Sequence, residues 1–116
     1  MKGAMKRFCF TLELRPDPAL IAEYVELHRE GRPEIHRSIR DAGVLDMQIF
    51  LLGTQLFMIM DTTDAFTLEH KAALDHANPS VVAWERLMSR FQNADPSGDF
   101  AGRWQAMRKI FQLTDK

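Results

Sequence analysis

Tyr24 and His28 stand four residues apart in the stretch Ala19-Leu20-Ile21-Ala22-Glu23-Tyr24-Val25-Glu26-Leu27-His28. On a helix that spacing places two side chains on one face, one above the other. One is a phenol and the other an imidazole, so both can donate or accept a proton. An imidazole, with an ordinary pKa near ~6.5, is the usual group for proton transfer at neutral pH. The same spacing also fits an aromatic packing residue beside a surface histidine. The rest of the chain offers little other chemistry: it has no Cys/His cluster, no Gly-rich phosphate loop and no strong basic patch.

The elements that must position this pair belong to a chain of 116 residues, enough for one domain with its own core. Hydrophobic residues make up 46% and charged residues 27%, a composition of globular rather than disordered proteins. The formal net charge of -1 argues against a dedicated nucleic-acid or anionic-membrane binder. A single cysteine, Cys9, has no internal disulfide partner, which fits a reducing compartment. The first residues carry positive charge, but no apolar run of signal-peptide character follows, and no stretch approaches the roughly 20 apolar residues of a membrane span. The expected location is the cytoplasm.

Phe8, Phe10, Leu12 and Leu14 alternate with more polar neighbours, the pattern of a first strand. Pro16-Asp17-Pro18 ends it, with Asp17 suited to cap a helix and Pro18 to begin one. That helix runs through His28 and is interrupted at Gly31-Arg32-Pro33. Helical pattern resumes from Pro33, with Ile35, Ile39 and Ala42 on one stripe and Gly43 as terminator. Leu45 to Leu52 and Gln55 to Asp61 read as a hairpin around Gly53-Thr54, in a type II′ turn. Phe66 to Ala77 reads as helix, broken at Asn78-Pro79. Ser80 is placed to cap a further helix from Val81 to about Asn93, with Trp84, Leu87, Met88 and Phe91 on its buried face. Residues 95–99 read as a loop, and Arg108 to Leu113 as a closing strand.

The order β-α-β-β-α-β predicts an α+β, ferredoxin-like split βαβ fold. Helices would cover one side of an antiparallel sheet. The strands are apolar on both faces: Ile49 opposes Phe50 and Leu52, and Phe57 and Ile59 oppose Met58 and Met60. A second apolar sheet face calls for cover, so a homodimer packed through the sheets is expected.

From Arg7 to Leu113 the chain resembles the L-rhamnose mutarotases and their relatives, the second type of L-fucose mutarotase. The resemblance rests on strand one followed by Pro16-Asp17, on Tyr24-x-x-x-His28, on Pro33-Glu34, and on the Ala42-Gly43 helix end. It continues through Phe57-Met58 and Trp84-Glu85-Arg86-Leu87-Met88. The last third, with Asn78-Pro79, Phe91-Gln92, Arg103-Trp104, Met107 and Ile110-Phe111, resembles the fucose branch more closely. The resemblance implies a dimeric α/β barrel that interconverts the α and β anomers of a 6-deoxy-L-sugar without metal or organic cofactor. It implies His28 as proton donor, Tyr24 as a sugar contact and Trp84 as a pocket wall. The chain departs from the rhamnose pattern at three places. Arg32 replaces a tryptophan before Pro-Glu, Met47 replaces a strand-two tyrosine, and Glu85 replaces a second tryptophan. These positions bear on which sugar is bound more than on the reaction.

Mutarotation opens the ring hemiacetal and recloses it on the other face of the aldehyde, so the anomeric hydroxyl loses a proton while the ring oxygen gains one. His28 can fill one role. Its partner could be Tyr24, Glu34, Glu85 or a held water. Trp84 offers a flat surface to the C–H face of a sugar, though it also lies on the core stripe, and Glu34 or Glu85 could bind hydroxyls. Glu34 equally suits a first helical turn, and Glu85 an ordinary solvated position. Met47, at the tyrosine position, is a candidate substrate contact by resemblance and a core residue by type. His36 lies near Glu34, but nothing else completes a metal set, and His70 and His76 are poorly spaced to share a helical face. The same fold class hosts other activities. A cofactor-free monooxygenase, expected to have an apolar pocket without a carboxylate, is one alternative. A non-catalytic dimeric binding module, indifferent to His28→Ala, is the other.

Overall fold

The computed structural model describes residues 5–93 and 103–114. Among the described residues, four strands and four helices follow in the order β1 (Met5–Glu13), α1 (Pro18–Glu30), α2 (Pro33–Asp41), β2 (Val44–Leu52), β3 (Gln55–Thr63), α3 (Leu68–His76), α4 (Pro79–Met88) and β4 (Gln105–Ala106). All pairings are antiparallel, and the sheet order β2-β3-β1-β4 is the ferredoxin-like arrangement expected from the sequence. Among the described residues, no helix is long and apolar enough to cross a membrane.

Local chemistry sets the helix that carries the Tyr/His pair. Asp17 is extended, at φ -126°, and its Oδ1 accepts from the N–H groups of Ala19 and Leu20 at 3.0 and 3.3 Å. Pro18 supplies a first helical residue with no N–H to satisfy. Gly31, at φ 73°, ends α1, and Pro33 starts α2 after Arg32. In the β2–β3 turn Gly53 has φ 62° while Thr54 does not take a positive φ. That pattern excludes a type I′ turn and agrees with type II′.

Strand register sorts the side chains. Phe10 faces Met58 and Leu12 faces Leu56 across β1–β3, while Met47 faces Met60 and Ile49 faces Met58 across β2–β3. This face meets Tyr24, Met88, Phe91 and Trp104 in the core. The opposite face carries Cys9, Thr11, Phe50, Phe57 and Ile59, none of them buried, with Phe50 52% exposed.

Two sequence expectations are corrected. The fourth helix starts earlier than expected and stops earlier: Asn78, not Ser80, is its cap, accepting from the Ser80 N–H at 3.0 Å, and Pro79 is the first helical residue. After Met88 the chain tightens into turn bonds, Arg90 N–H to Leu87 O and Phe91 N–H to Met88 O. This turn buries Phe91 and lets Gln92 bridge to Leu14. The closing strand is also misplaced. Pairing with β1 covers only Gln105 and Ala106, and residues 107–114 form no strand, with Ile110, Phe111 and Leu113 exposed. Alternation alone cannot make a strand where no neighbouring backbone is offered. The loop expected at 95–99 lies outside the described residues.

Gly43, at φ 103°, hands α2 to β2, and a Cβ there would sit 3.1 Å from Thr63 Oγ1 and 3.6 Å from the Phe66 ring. Gly43→Ala is therefore expected to lose about 1–3 kcal/mol in urea unfolding. An unchanged midpoint would show that this junction relaxes freely.

Candidate active site

Four rings run in a row from the core to a cavity. Phe91 meets Tyr24 edge-on at 5.8 Å, Tyr24 lies 4.3 Å from His28, and His28 meets Trp84 edge-on at 5.5 Å between centroids. The helical spacing on α1 stacks Tyr24 and His28 as expected, and α4 supplies Trp84 as the third wall. The cavity has a volume of about 470 Å³ and reaches from these rings to Met47 and Met58 on the sheet. That is a size typical of small-molecule sites. Trp104 both lines the cavity and joins the core cluster, so it serves as cover and packing at once.

The His28 ring is fixed by its own helix. Nδ1 lies 2.9 Å from the Tyr24 carbonyl oxygen, which can only accept, so Nδ1 carries the hydrogen and Nε2 holds the lone pair. Burial lowers the His28 pKa below its ordinary value, opposed only in part by that carbonyl. The imidazole is thus neutral at pH 7, and Nε2 is a base there. Tyr24 is pushed the other way: burial raises its phenol to about 12, against smaller lowering effects from Gln92 and the Arg103 charge. It remains protonated at any physiological pH. Gln92 is buried, and its Oε1 has no hydrogen-bond partner.

Of the expected site residues, Tyr24, His28, Met47, Trp84 and Glu85 line the cavity. Glu34 does not: it is exposed on the first turn of α2, the position that suits a carboxylate at a helix N-terminus. Glu85 is not a freely solvated carboxylate. Arg103 Nη2 donates to its Oε1, and Arg103 Nη1 donates to its backbone carbonyl at 3.1 Å. Arg32 stands 4.9 Å from the centroid of the Trp84 ring, a cation–π distance, and also faces the cavity.

Sequence reasoning gave no site role to Gln92, Arg103, Lys71 or Asp75. Gln92 and Arg103 stood in the stretch resembling the fucose branch, and nothing local marked them as buried. Lys71 and Asp75 carried only an i,i+4 opposite-charge spacing, which by itself reads as a solvated helix face. Among the described residues, no group of three or more His, Cys, Asp or Glu side chains is placed to hold a metal ion.

A family model described as L-rhamnose mutarotase matches residues 7–113 of the chain. The chain is 38% identical over 114 residues to an L-fucose mutarotase of Xanthomonas campestris pv. campestris, covering 97% of this chain and 91% of that protein. It is 28% identical over 113 residues to an L-rhamnose mutarotase of Acidiphilium cryptum, covering 94% and 99%. The fold matches the crystal structure of an L-rhamnose mutarotase from Formosa agariphila at a TM-score of 0.71 and 20% identity, over 94% of this chain and 99% of that one.

The Arg103–Glu85 pair is asymmetric, with side chains 2% and 28% exposed. Removing Glu85 strands a buried cation, whereas removing Arg103 leaves a carboxylate that water can reach. Glu85→Ala is therefore expected to cost about 3–5 kcal/mol in urea unfolding, and Arg103→Met clearly less. Equal losses would show that packing, not charge, holds this corner.

Proposed function

The chain belongs to the L-rhamnose mutarotase family, an isomerase family that interconverts sugar anomers, and on that premise we propose that it acts on the anomers of a 6-deoxy-L-sugar, L-fucose ahead of L-rhamnose. The observation that carries the reading is the neutral imidazole of His28, its Nε2 lone pair fixed by the Tyr24 carbonyl beside a protonated phenol and a tryptophan wall. The preference for L-fucose rests on the higher identity to the L-fucose mutarotase, 38% against 28% for the L-rhamnose mutarotase.

In the proposed cycle Nε2 of His28 takes the proton of the anomeric hydroxyl as the C1–O5 bond breaks and the C1=O bond forms. The Tyr24 phenol gives its proton to O5. Rotation about C1–C2 turns the other aldehyde face toward O5. The O5 hydroxyl then adds to C1, its proton returns to Tyr24, and imidazolium returns the first proton to O1. Each step of this kind gains roughly 10²–10⁴-fold per group, a fitting scale for a reaction that also runs unaided. Trp84 takes the C–H face of the ring, and Met47 and Glu85 complete the contacts; Glu34 is set aside as a sugar ligand because it faces away from the cavity.

The homodimer through the sheet is part of the same proposal. Phe50, Phe57 and Ile59 on the outer face, with the exposed apolar tail of Ile110, Phe111 and Leu113, are the surfaces that ask for cover. The lone thiol of Cys9 supports a cytoplasmic setting.

Saturation-transfer NMR with L-fucose and L-rhamnose measures anomer exchange directly. Wild type is expected to accelerate it, and folded His28→Ala to lose about 10²-fold or more. No acceleration of either sugar would sink the mutarotase reading in favour of the monooxygenase and binding-module readings. Because neutral His28 is the base, kcat/KM should be flat at neutral pH and fall on acidification, with its midpoint below the ordinary ~6.5 of histidine. A midpoint above that value would contradict the burial of the ring. For the dimer, sedimentation equilibrium is expected to give twice the chain mass, and Phe50→Asp to shift it toward monomer; a wild-type monomer at all concentrations would end that part of the proposal.

A further inference from the structure

Helix α3 turns its charges inward. Its two buried residues are Lys71 and Asp75, 5% and 8% exposed, while Leu74 on the same helix is 38% exposed. Lys71 Nζ donates to Asp75 Oδ2 at 2.6 Å, and both side chains line the cavity that also holds His28 and Trp84. The same cavity is also lined by the apolar side chains of Ile35 and Val81, both buried. Taking an ion pair out of water costs more than its mutual attraction commonly returns, and an apolar pair of similar volume usually packs as well or better. The fold therefore gains little from charges at these two positions. A cavity that must recognise hydroxyl groups gains a great deal.

We propose that Lys71 and Asp75 form a hydroxyl-recognition subsite that reads the O3–O4 edge of the sugar. The proposal rests on the mutarotase reading, which puts C1 and O5 at His28. In a pyranose the C3–C4 bond lies directly across the ring from C1–O5. His28 reaches the cavity from α1, whereas the ion pair comes from α3, which packs on α4. A sugar with its anomeric end at His28 and its face on Trp84 offers its far edge to another wall, and this buried pair is among the polar groups that line the cavity. A carboxylate has about four acceptor directions, and the bond to Lys71 engages Oδ2, so Oδ1 has the capacity to take a hydroxyl proton. The adjacent Lys71 ammonium is a hydrogen-bond donor, the complement a hydroxyl oxygen needs. L-Fucose and L-rhamnose differ in configuration at C4 as well as C2, so a subsite at this edge bears directly on which of them is favoured.

The test combines two variants with deoxy sugars in the anomer-exchange measurement. The Lys71→Met, Asp75→Leu double variant should fold with a thermal midpoint at or above wild type, yet lose about ten- to a hundred-fold in kcat/KM for L-fucose. Asp75→Asn, which keeps the shape, should lose in the same direction and serves if the double variant does not fold. With 3-deoxy- or 4-deoxy-L-fucose, one of which lacks the hydroxyl being read, the loss caused by either variant should shrink toward nothing. An equal loss on all three sugars would assign the pair a structural role, and an unchanged kcat/KM would remove it from the site; both overturn the proposal. Absence of exchange with wild type would instead be a failure of the mutarotase reading itself.

Discussion

The site depends on the burial of one aromatic ring. Tyr24 is the only fully buried residue of α1, and its contacts run both ways, to Phe91 in the core and to His28 at the cavity. Burying it against the sheet sets the rotation of α1 about its axis, and that rotation aims everything else the helix carries. One turn later His28 has no choice but to stand over the same face. Its backbone carbonyl then fixes the imidazole, so a single residue supplies packing through its ring and a tautomer through its main chain. Aromatic contacts of this kind add about 0.5–1.5 kcal/mol each beyond area burial, but their larger effect here is positional.

Much of this was legible in the sequence because it is local. The i,i+4 spacing of Tyr24 and His28, the Asp17-Pro18 helix start, the Gly43 stop and the Gly53-Thr54 turn are each written in adjacent residues, and the split βαβ order follows from them. What was illegible needed distant parts of the chain. Glu85 reads as an ordinary helix position until Arg103, eighteen residues later, is seen to hold it. The alternation in Ile110, Phe111 and Leu113 reads as a strand, yet the ladder with β1 stops at Ala106. The start of α4 was missed by a competition between neighbouring caps, Asn78 against Ser80, which the proline between them decides.

Two of the three departures from the rhamnose pattern, Arg32 and Glu85, are compensated. Where a tryptophan would precede Pro33, Arg32 lays its guanidinium over Trp84, keeping a flat group against that ring. Where a second tryptophan would follow Trp84, Glu85 is anchored by a buried arginine. The cavity thus exchanges two apolar planes for two charges, one stacked and one paired, without leaving either charge bare. Together with the ion pair on α3, this makes a more polar chamber than an aromatic cage.

The partner of His28 Nδ1 is a peptide carbonyl rather than a carboxylate, and that choice sets the poise of the ring. A carboxylate would stabilise imidazolium and make it slow to surrender a proton; a carbonyl orients the ring without holding the charge. A hydrolase that moves its proton in one thermodynamic direction can profit from the stronger grip. An anomerisation catalyst runs between states of nearly equal energy and must release in each turnover what it has just taken. For such a cycle a weakly committed acid/base is the better instrument, and the backbone of α1 supplies it without a second ionisable group.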